Sequence, residues 1–349
     1  MSSLASPEIS PARPTRRAST TKLNRLDRRA NSALKWLAFA GGAVVFITMF
    51  AIAYQVIEGA TMAFNKYGAG FLVHKDWIQS LGHFDGGLVF IYGTLVTSLL
   101  SVIIAAILGI AIGLFLALMA PRRVAATIGP LVEMLAAVPS VVLGLIGVFL
   151  ICPFIASTIE PPVHTVLGFL PIFGAPQAVG NSLFAASLVL VIMVVPIIAA
   201  LTRDLFMTVP QELRDGAEAL GCTRWEVIRG VVLPTTSSGV IAACVLGLGR
   251  AVGEAIAVSQ VIGGQPVVHG NLFLGGNTLA SVIALELPSP VSNLHISALF
   301  YCAAILFIFG LITNLMAQWI SHRFNRGRSS RSRPPRTAVT TPIVTAPGN

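Results

Sequence analysis

Uncharged stretches long enough to cross a bilayer recur along this chain, and that repetition decides the fold class before any motif is considered. Trp36 to Ile57, Leu183 to Thr202 and Leu287 to Ser321 contain no Asp, Glu, Lys or Arg. A helix rising about 1.5 Å per residue needs about 20 such residues to cross a hydrocarbon core of roughly 30 Å. A buried helix of a soluble domain would be shorter and apolar on one side only. With 55% of positions hydrophobic and 11% charged, too little polar surface exists to wrap a soluble globule. The chain reads as an all-α, polytopic membrane protein.

Six spanning helices are expected, at 36–57, 89–119, 128–154, 183–202, 237–262 and 296–320. The first starts too late and runs too long for a cleaved signal peptide, so it reads as a permanent anchor. The second lies in a charge-free stretch, Gly86 to Pro121, that overshoots a bilayer and must tilt or begin outside it. The third carries Glu133 near one end and is interrupted by Pro139; with Gly144 and Gly147 nearby, a kink is expected there. Two meanings of that kink stay open: packing geometry, or a hinge or pore lining built on Glu133 and Pro139.

A net charge of +9 could suggest a nucleic-acid partner, but its placement argues against one. Of the 23 Lys and Arg, 8 fall between Arg13 and Lys35 and 6 between Arg323 and Arg336. With both termini cytoplasmic, 20 basic residues lie inside and only Lys66 and Lys75 outside, as the positive-inside rule demands. The four cysteines form no C-x-x-C pair, so disulfides and metal sites are not expected.

Residues 1 to about 30 and from about Gly327 onward are Ser-, Pro-, Thr- and Arg-rich and are expected to be disordered. The basic piece Leu23 to Lys35 either lies along an anionic leaflet or is simply solvated. The chain thus divides into a basic tail (1–35), a first span with an external loop (36–87), a core (88–322) containing a polar loop at 208–229, and a second tail (323–349). Pro161, Pro162, Pro171, Gly174 and Pro176 mark an irregular external loop. In the last external loop, Thr278 to Leu287 is expected to form a helix at the outer surface.

The polar loop has helix signals of its own. Thr208-Val-Pro-Gln211 has the form of a capping box; Leu213, Ala217 and Leu220 repeat at helical spacing; Gly221 permits a sharp exit. A second box, Thr223-Arg-Trp-Glu226, follows at once. The product is a helix–turn–helix elbow, which either seals the bundle from below or docks a soluble partner. In the fifth span, Arg250 and Glu254 stand at i and i+4, on one helical face and within pairing distance. They form either a structural ion pair or a pathway for an anion, since a guanidinium offers a planar donor fork suited to phosphate.

Here the residues resemble a family. Asp215-Gly-Ala-Glu-Ala-Leu-Gly221, followed after nine residues by Val231 and by Leu233-Pro234, is similar to the E-A-A-x(3)-G-x(9)-I-x-L-P loop of ABC importer permeases, with Asp215 in place of Glu and Gly216 in place of Ala. Arg250-Ala-Val-Gly-Glu254-Ala-Ile-Ala-Val, ending in Gly263-Gly264, resembles the R-A-x-G-E-[TA]-x-A-V signature of the phosphate-specific members. Glu133-Met-Leu-Ala-Ala-Val-Pro-Ser140 resembles their third span. The likeness extends over about residues 88 to 320, and the stretches around Glu133, after Glu254 and from Ser281 look more like the PstC branch than the PstA branch.

The resemblance implies a type I (MetI-like) permease core that imports phosphate and catalyses no reaction itself. It assigns Asp215, Gly216, Ala217, Glu218, Leu220 and Gly221 to coupling with an ATPase, and Arg250 and Glu254 to the substrate pathway. It implies a second, PstA-like permease, two PstB-like ATPase subunits using ATP and Mg, and an external PstS-like phosphate-binding protein, in the inner membrane of a bacterium. No cofactor is expected on this chain: none of its four lysines is followed by Ser or Thr, as a phosphate-cradling P-loop requires. A permease for sulfate or molybdate, a secondary anion transporter and a membrane scaffold are the rival readings.

Overall fold

The computed structural model describes residues 20–175 and 179–329. The two expected disordered tails, apart from 20–35 and 323–329, and Pro176 of the external loop lie outside these residues. The chain divides into two compact units at Gln55 and Val56. Helix α1 (Thr20–Tyr67) begins well inside the stretch expected to be disordered and runs on without a break past Lys35. In the first unit Leu34, Trp36, Leu37, Phe39, Phe46 and Phe50 are all exposed.

In the second unit, a two-stranded hairpin, β1 (Trp77–Ile78) and β2 (His83–Phe84), precedes α2 (Gly87–Leu114). There follow α3 (Arg122–Ala136), α4 (Ser140–Ile146), α5 (Cys152–Phe154), α6 (Glu160–Leu167), α7 (Leu183–Met207), α8 (Gln211–Ala219), α9 (Arg224–Val227), α10 (Leu233–Val252), α11 (Ile256–Val261), α12 (Leu279–Glu286) and α13 (Asn293–Ser329). Among the described residues, six helical runs are long and apolar enough to cross a membrane: Asn31–Leu72, Gly87–Met119, Ser140–Leu167, Leu183–Met207, Arg224–Val252 and Asn293–Ile320.

The third and fifth spans are placed differently from the sequence expectation. Residues 122–136 form a separate helix whose Leu131, Met134 and Leu135 are exposed, and the span begins only at Ser140. Pro139 is therefore the boundary of a span and not a kink inside one. Its ring restricts Val138 to extended backbone and offers no N–H to continue α3. At the far end, Pro161 and Pro162 stand inside helix rather than in a loop. The fifth span starts at Arg224, not 237, and ends at Val252.

One device accounts for the differences at Pro161 and at the start of the fifth span. Four π turns, Phe115–Met119, Gly147–Ile151, Ile155–Ile159 and Ile228–Val232, each end two residues before a proline: Pro121, Pro153, Pro161 and Pro234. A proline in an α-helix lacks the N–H for the carbonyl four residues earlier and clashes with it. Widening the preceding turn to i→i+5 bonding moves that carbonyl and lets the helix direction persist through Pro153, Pro161 and Pro234, whereas Ala120 is extended and the helix ends before Pro121.

The packing is of the membrane kind, with small residues where helices meet. On α2, a Cβ at Gly109 would stand 2.8 Å from the Ile198 side chain and one at Gly113 about 2.3 Å from Thr202 Oγ1, so α2 and α7 touch nearly backbone to backbone. Thr94, Thr97, Ser98 and Ser101 are buried and return their hydroxyl protons to carbonyls of their own helix. Thr94 also accepts the Leu279 N–H at 2.9 Å. The expected helix at Thr278–Leu287 forms as α12, started by a capping box of Thr278 and Ser281; Leu279, Ser281 and Val282 are fully buried, and Ala284, Leu285 and Leu287 are exposed.

Candidate functional site

Arg250 occupies the last turn of α10, where the backbone presents its negative end. The helix stops at Gly253, and Glu254 falls in the break before α11, not on a continuing helix as its i, i+4 spacing predicts. The pairing expected from the spacing nevertheless forms: Arg250 Nη1 donates to Glu254 Oε2 at 2.9 Å. The other carboxylate oxygen accepts the Ala257 N–H at 3.3 Å, so Glu254 also serves the positive start of α11. Each charge thus sits at the helix end that favours it, and each favours the other.

Burial separates the two partners. Glu254 is 4% exposed and Arg250 43%. Leu246, Gly249, Arg250 and Gly253 follow one another at i, i+3, i+4 and i+7, and all four are exposed. A Cβ at Gly249 would touch nothing within 4 Å. The guanidinium therefore stands on an open face beside small residues, anchored from behind by a buried carboxylate. Behind the pair, Ala257, Val258 and Val261 of α11 are buried, and α4 approaches so closely that a Cβ at Gly144 would stand 2.7 Å from Gln260 Oε1.

The elbow forms at α8 and α9. The first expected capping box does not: Thr208 Oγ1 donates back to Leu205 O at 2.7 Å, and α8 starts after Pro210 with no side-chain cap. The second does, with Thr223 accepting the Glu226 N–H and Glu226 accepting the Thr223 N–H. Between them, Cys222 N–H bonds Ala217 O and Gly221 N–H bonds Glu218 O, with Gly221 at φ +87°. This is the left-handed exit that glycine allows without strain.

The expected apolar stripe of the elbow is not buried. Ala217 and Arg214 face inward, while Leu213, Leu220 and Trp225 are exposed, Leu220 at 86%. Leu220 lies in the turn beyond α8 and so leaves helical phase with the other two. Asp215, Gly216 and Glu218 are exposed beside it, and nothing stands within 4 Å of a Cβ built at Gly216 or Gly221. The sequence-predicted coupling residues thus share one small, largely uncovered surface.

Glu133 does not lie in a span. It is exposed on α3 and accepts from Arg203 Nη1 of α7 at 2.9 Å. Arg203 reaches it by crossing Gly129, where a Cβ would stand 2.5 Å from Nη1. This ion pair fastens α3 to α7, and Pro139 beyond it turns the chain into α4.

Two polar clusters have no counterpart in the sequence reading. Asn277, Thr278 and Ser281 bond one another in the core beside Thr94. Further along, Glu286 Oε2 accepts from Trp77 Nε1 at 3.2 Å and pairs with His295 Nε2 at 2.7 Å. The Val291 N–H donates to His295 Nδ1, so the ring proton resides on Nε2, toward Glu286. Only the Thr-x-x-Ser spacing at 278–281 signalled either cluster; Trp77, Glu286 and His295 are joined by folding alone.

The profile described as "Binding-protein-dependent transport system inner membrane component" matches residues 109–326. The phosphate transport system permease protein PstC of Pasteurella multocida is 40% identical over 269 residues, covering 76% of this chain and 83% of the relative. The PstC of Mesorhizobium japonicum is 35% identical over 290 residues, covering 82% and 88%. Among solved structures, a bacterial alginate ABC transporter in complex with its periplasmic protein superposes with a TM-score of 0.55 at 17% identity, over 84% of this chain and 97% of that one. The inward-facing MetNI methionine ABC transporter gives 0.50, also at 17% identity, over 68% and 95%. At that identity the solved structures speak for the fold alone, but the profile and the relatives settle the family: this chain is one of the inner membrane components of binding-protein-dependent transport systems.

Proposed function

We propose that the chain is the PstC-type permease of an ATP-driven phosphate importer and lines half of its pore. The single observation that carries the reading is the Arg250 guanidinium, held by a buried carboxylate on an open face of α10 shared with Leu246, Gly249 and Gly253. A cation in a span is costly unless it serves a polar path, and a half-exposed arginine fork is suited to a passing phosphate. The PstC relatives, at 35–40% identity, support the choice of anion.

In this reading a PstA-like second permease faces the Arg250 surface, two PstB-like subunits supply ATP hydrolysis with Mg, and a PstS-like protein delivers phosphate. The exposed Leu213, Leu220 and Trp225, with the bare backbone at Gly216 and Gly221, form the knob on which an ATPase docks. That exposure favours docking over a helix pair sealing the bundle. Both termini lie in the cytoplasm, on the side of Arg122, Arg123 and Arg214.

The test is phosphate uptake by cells whose only copy is Arg250→Gln, paired with phosphate-dependent ATPase activity of the co-purified complex. Loss of uptake in an assembled complex is expected. Unchanged uptake removes Arg250 from the pathway, and a response to sulfate or molybdate in place of phosphate keeps the architecture but changes the cargo.

A further inference from the structure

Within the elbow lies a cleft of about 210 Å³, of whose lining the transport reading uses only Glu218. Arg214 of α8 and Arg224 at the start of α9 line it, with Glu218 as the one carboxylate. Arg214 Nε is buried and has no hydrogen-bond partner, and among the described residues neither arginine is ion-paired. A guanidinium N–H withdrawn from water and left unsatisfied is costly, so an acceptor is missing from this picture. The two arginines outweigh Glu218, and the site carries net positive charge.

The walls indicate what kind of acceptor fits. Leu118 and Met119, the last residues of one span, and Val232, inside another, supply an aliphatic floor. The cleft therefore sits at the depth where spans leave the hydrocarbon, with cationic forks above and apolar side chains below. Arg122 and Arg123 follow one turn after Met119 and add to the local positive field. A carboxylate on a partner protein needs only the forks; a phosphate joined to acyl chains uses the forks and the floor together.

We infer that this cleft binds a phosphate group, that of an anionic phospholipid headgroup being the source its apolar floor favours over free inorganic phosphate. Occupancy would brace α8 against α9 and so set the stiffness of the elbow.

The full-length chain, purified in detergent and exchanged into nanodiscs of phosphatidylglycerol and phosphatidylcholine, is examined by native mass spectrometry for retained lipid. Retention of phosphatidylglycerol about tenfold above phosphatidylcholine is expected, falling about tenfold in Arg214→Gln and again in Arg224→Gln. Arg229→Gln, an exposed arginine outside the cleft, is expected to keep the preference. In phosphatidylcholine alone, a rise in unfolding temperature with inorganic phosphate that disappears in Arg214→Gln would identify free phosphate as the source and uphold the site. If neither source registers, as when Arg214 is reserved for an acidic side chain of a partner, or if Arg229→Gln erases the preference equally, the inference falls. Should Arg214→Gln fail to fold, Arg224→Gln carries the same test.

Discussion

Replacing Arg250 by Gln separates a structural role of the charged pair from a role in transport. The substitution leaves Glu254, 4% exposed, with the Ala257 N–H at 3.3 Å as its remaining hydrogen bond. Breaking a fully buried pair costs about 3–5 kcal/mol, and an exposed one about 0–1 kcal/mol. Arg250 is 43% exposed while its partner is enclosed, which puts the loss at about 2 kcal/mol. Glu254→Gln keeps an acceptor for Ala257 and is expected to lose about 1 kcal/mol. In the double variant no buried charge remains, so a favourable coupling of about 1–2 kcal/mol is expected from the cycle, read by denaturant unfolding of the full chain in detergent. Uptake is the second readout. Either way the neutral double variant is expected to stand about 1–2 kcal/mol below the parent, no worse than Arg250→Gln; if the pair only clips α10 to α11 it transports as the parent does, and if Arg250 serves a passing anion uptake stays at least about tenfold down. Recovery of uptake in the double variant would refute the pathway.

Gly93 faces the Asn277 carbonyl so closely that a Cβ would stand 2.0 Å from its oxygen, so Gly93→Ala is expected to cost several kcal/mol in unfolding, about 3 or more. Gly230→Ala, with open space around it, should not destabilise and controls for the change in backbone freedom. Gly221→Ala meets no neighbour but must hold φ +87°, an expected loss of about 1 kcal/mol confined to the elbow; faster proteolysis between α8 and α9, with unchanged global unfolding, is the check. Glu133→Gln breaks a pair that is 23% and 53% exposed, so the unfolding midpoint should move by the equivalent of no more than about 1 kcal/mol, and a larger shift would mean that Glu133 has a further partner.

The number of spans and the elbow were legible because they rest on local chemistry: charge-free runs set the first, and Thr223, Glu226 and Gly221 set the second. The misplaced span boundaries lie at prolines. The sequence predicts a kink at Pro139 within a span, loop at Pro161 and Pro162, and the end of the elbow's second helix near Pro234; a proline is passed through where the turn before it widens and the next residue stays helical, as at Pro161 and Pro234, but not at Pro121, where Ala120 is extended. Pro139 has no π turn before it and does end α3; Pro161 and Pro234 have one and are passed through. Whether a turn widens depends on neighbours packed around it, which spacing does not encode. The Arg250–Glu254 pair was read correctly as a contact but wrongly as one helical face, since the break at Gly253 lies between them. Glu133 looked intramembrane only because its helix had been fused to the next, and its partner Arg203 is 70 residues away.

The corrected boundaries change how the elbow and the charged pair relate. Arg224–Val252 is one helical run of 29 residues, roughly 43 Å long, whose first turn carries the second capping box and whose last turn carries Arg250. In the proposed mechanism no chain of side-chain contacts has to convey an ATPase movement to the pore; a single rod joins the two. A rod transmits rotation only if it is stiff along its length, and this one has a soft place, the π turn at Ile228–Val232 below Pro234. That turn is braced by buried Val232, which packs in one cluster with Phe206, Leu114 and Leu118 near the end of α2, so a force on α8 is passed into α10 only while this contact holds. Val232, with the neighbouring Val227 and Ile228, lines the phosphate-binding cleft inferred above. Occupancy of the cleft therefore bears on the π turn of the rod, and a headgroup seated there, held by the elbow's Arg214 and Arg224, would tighten the link to Arg250 without touching Arg250.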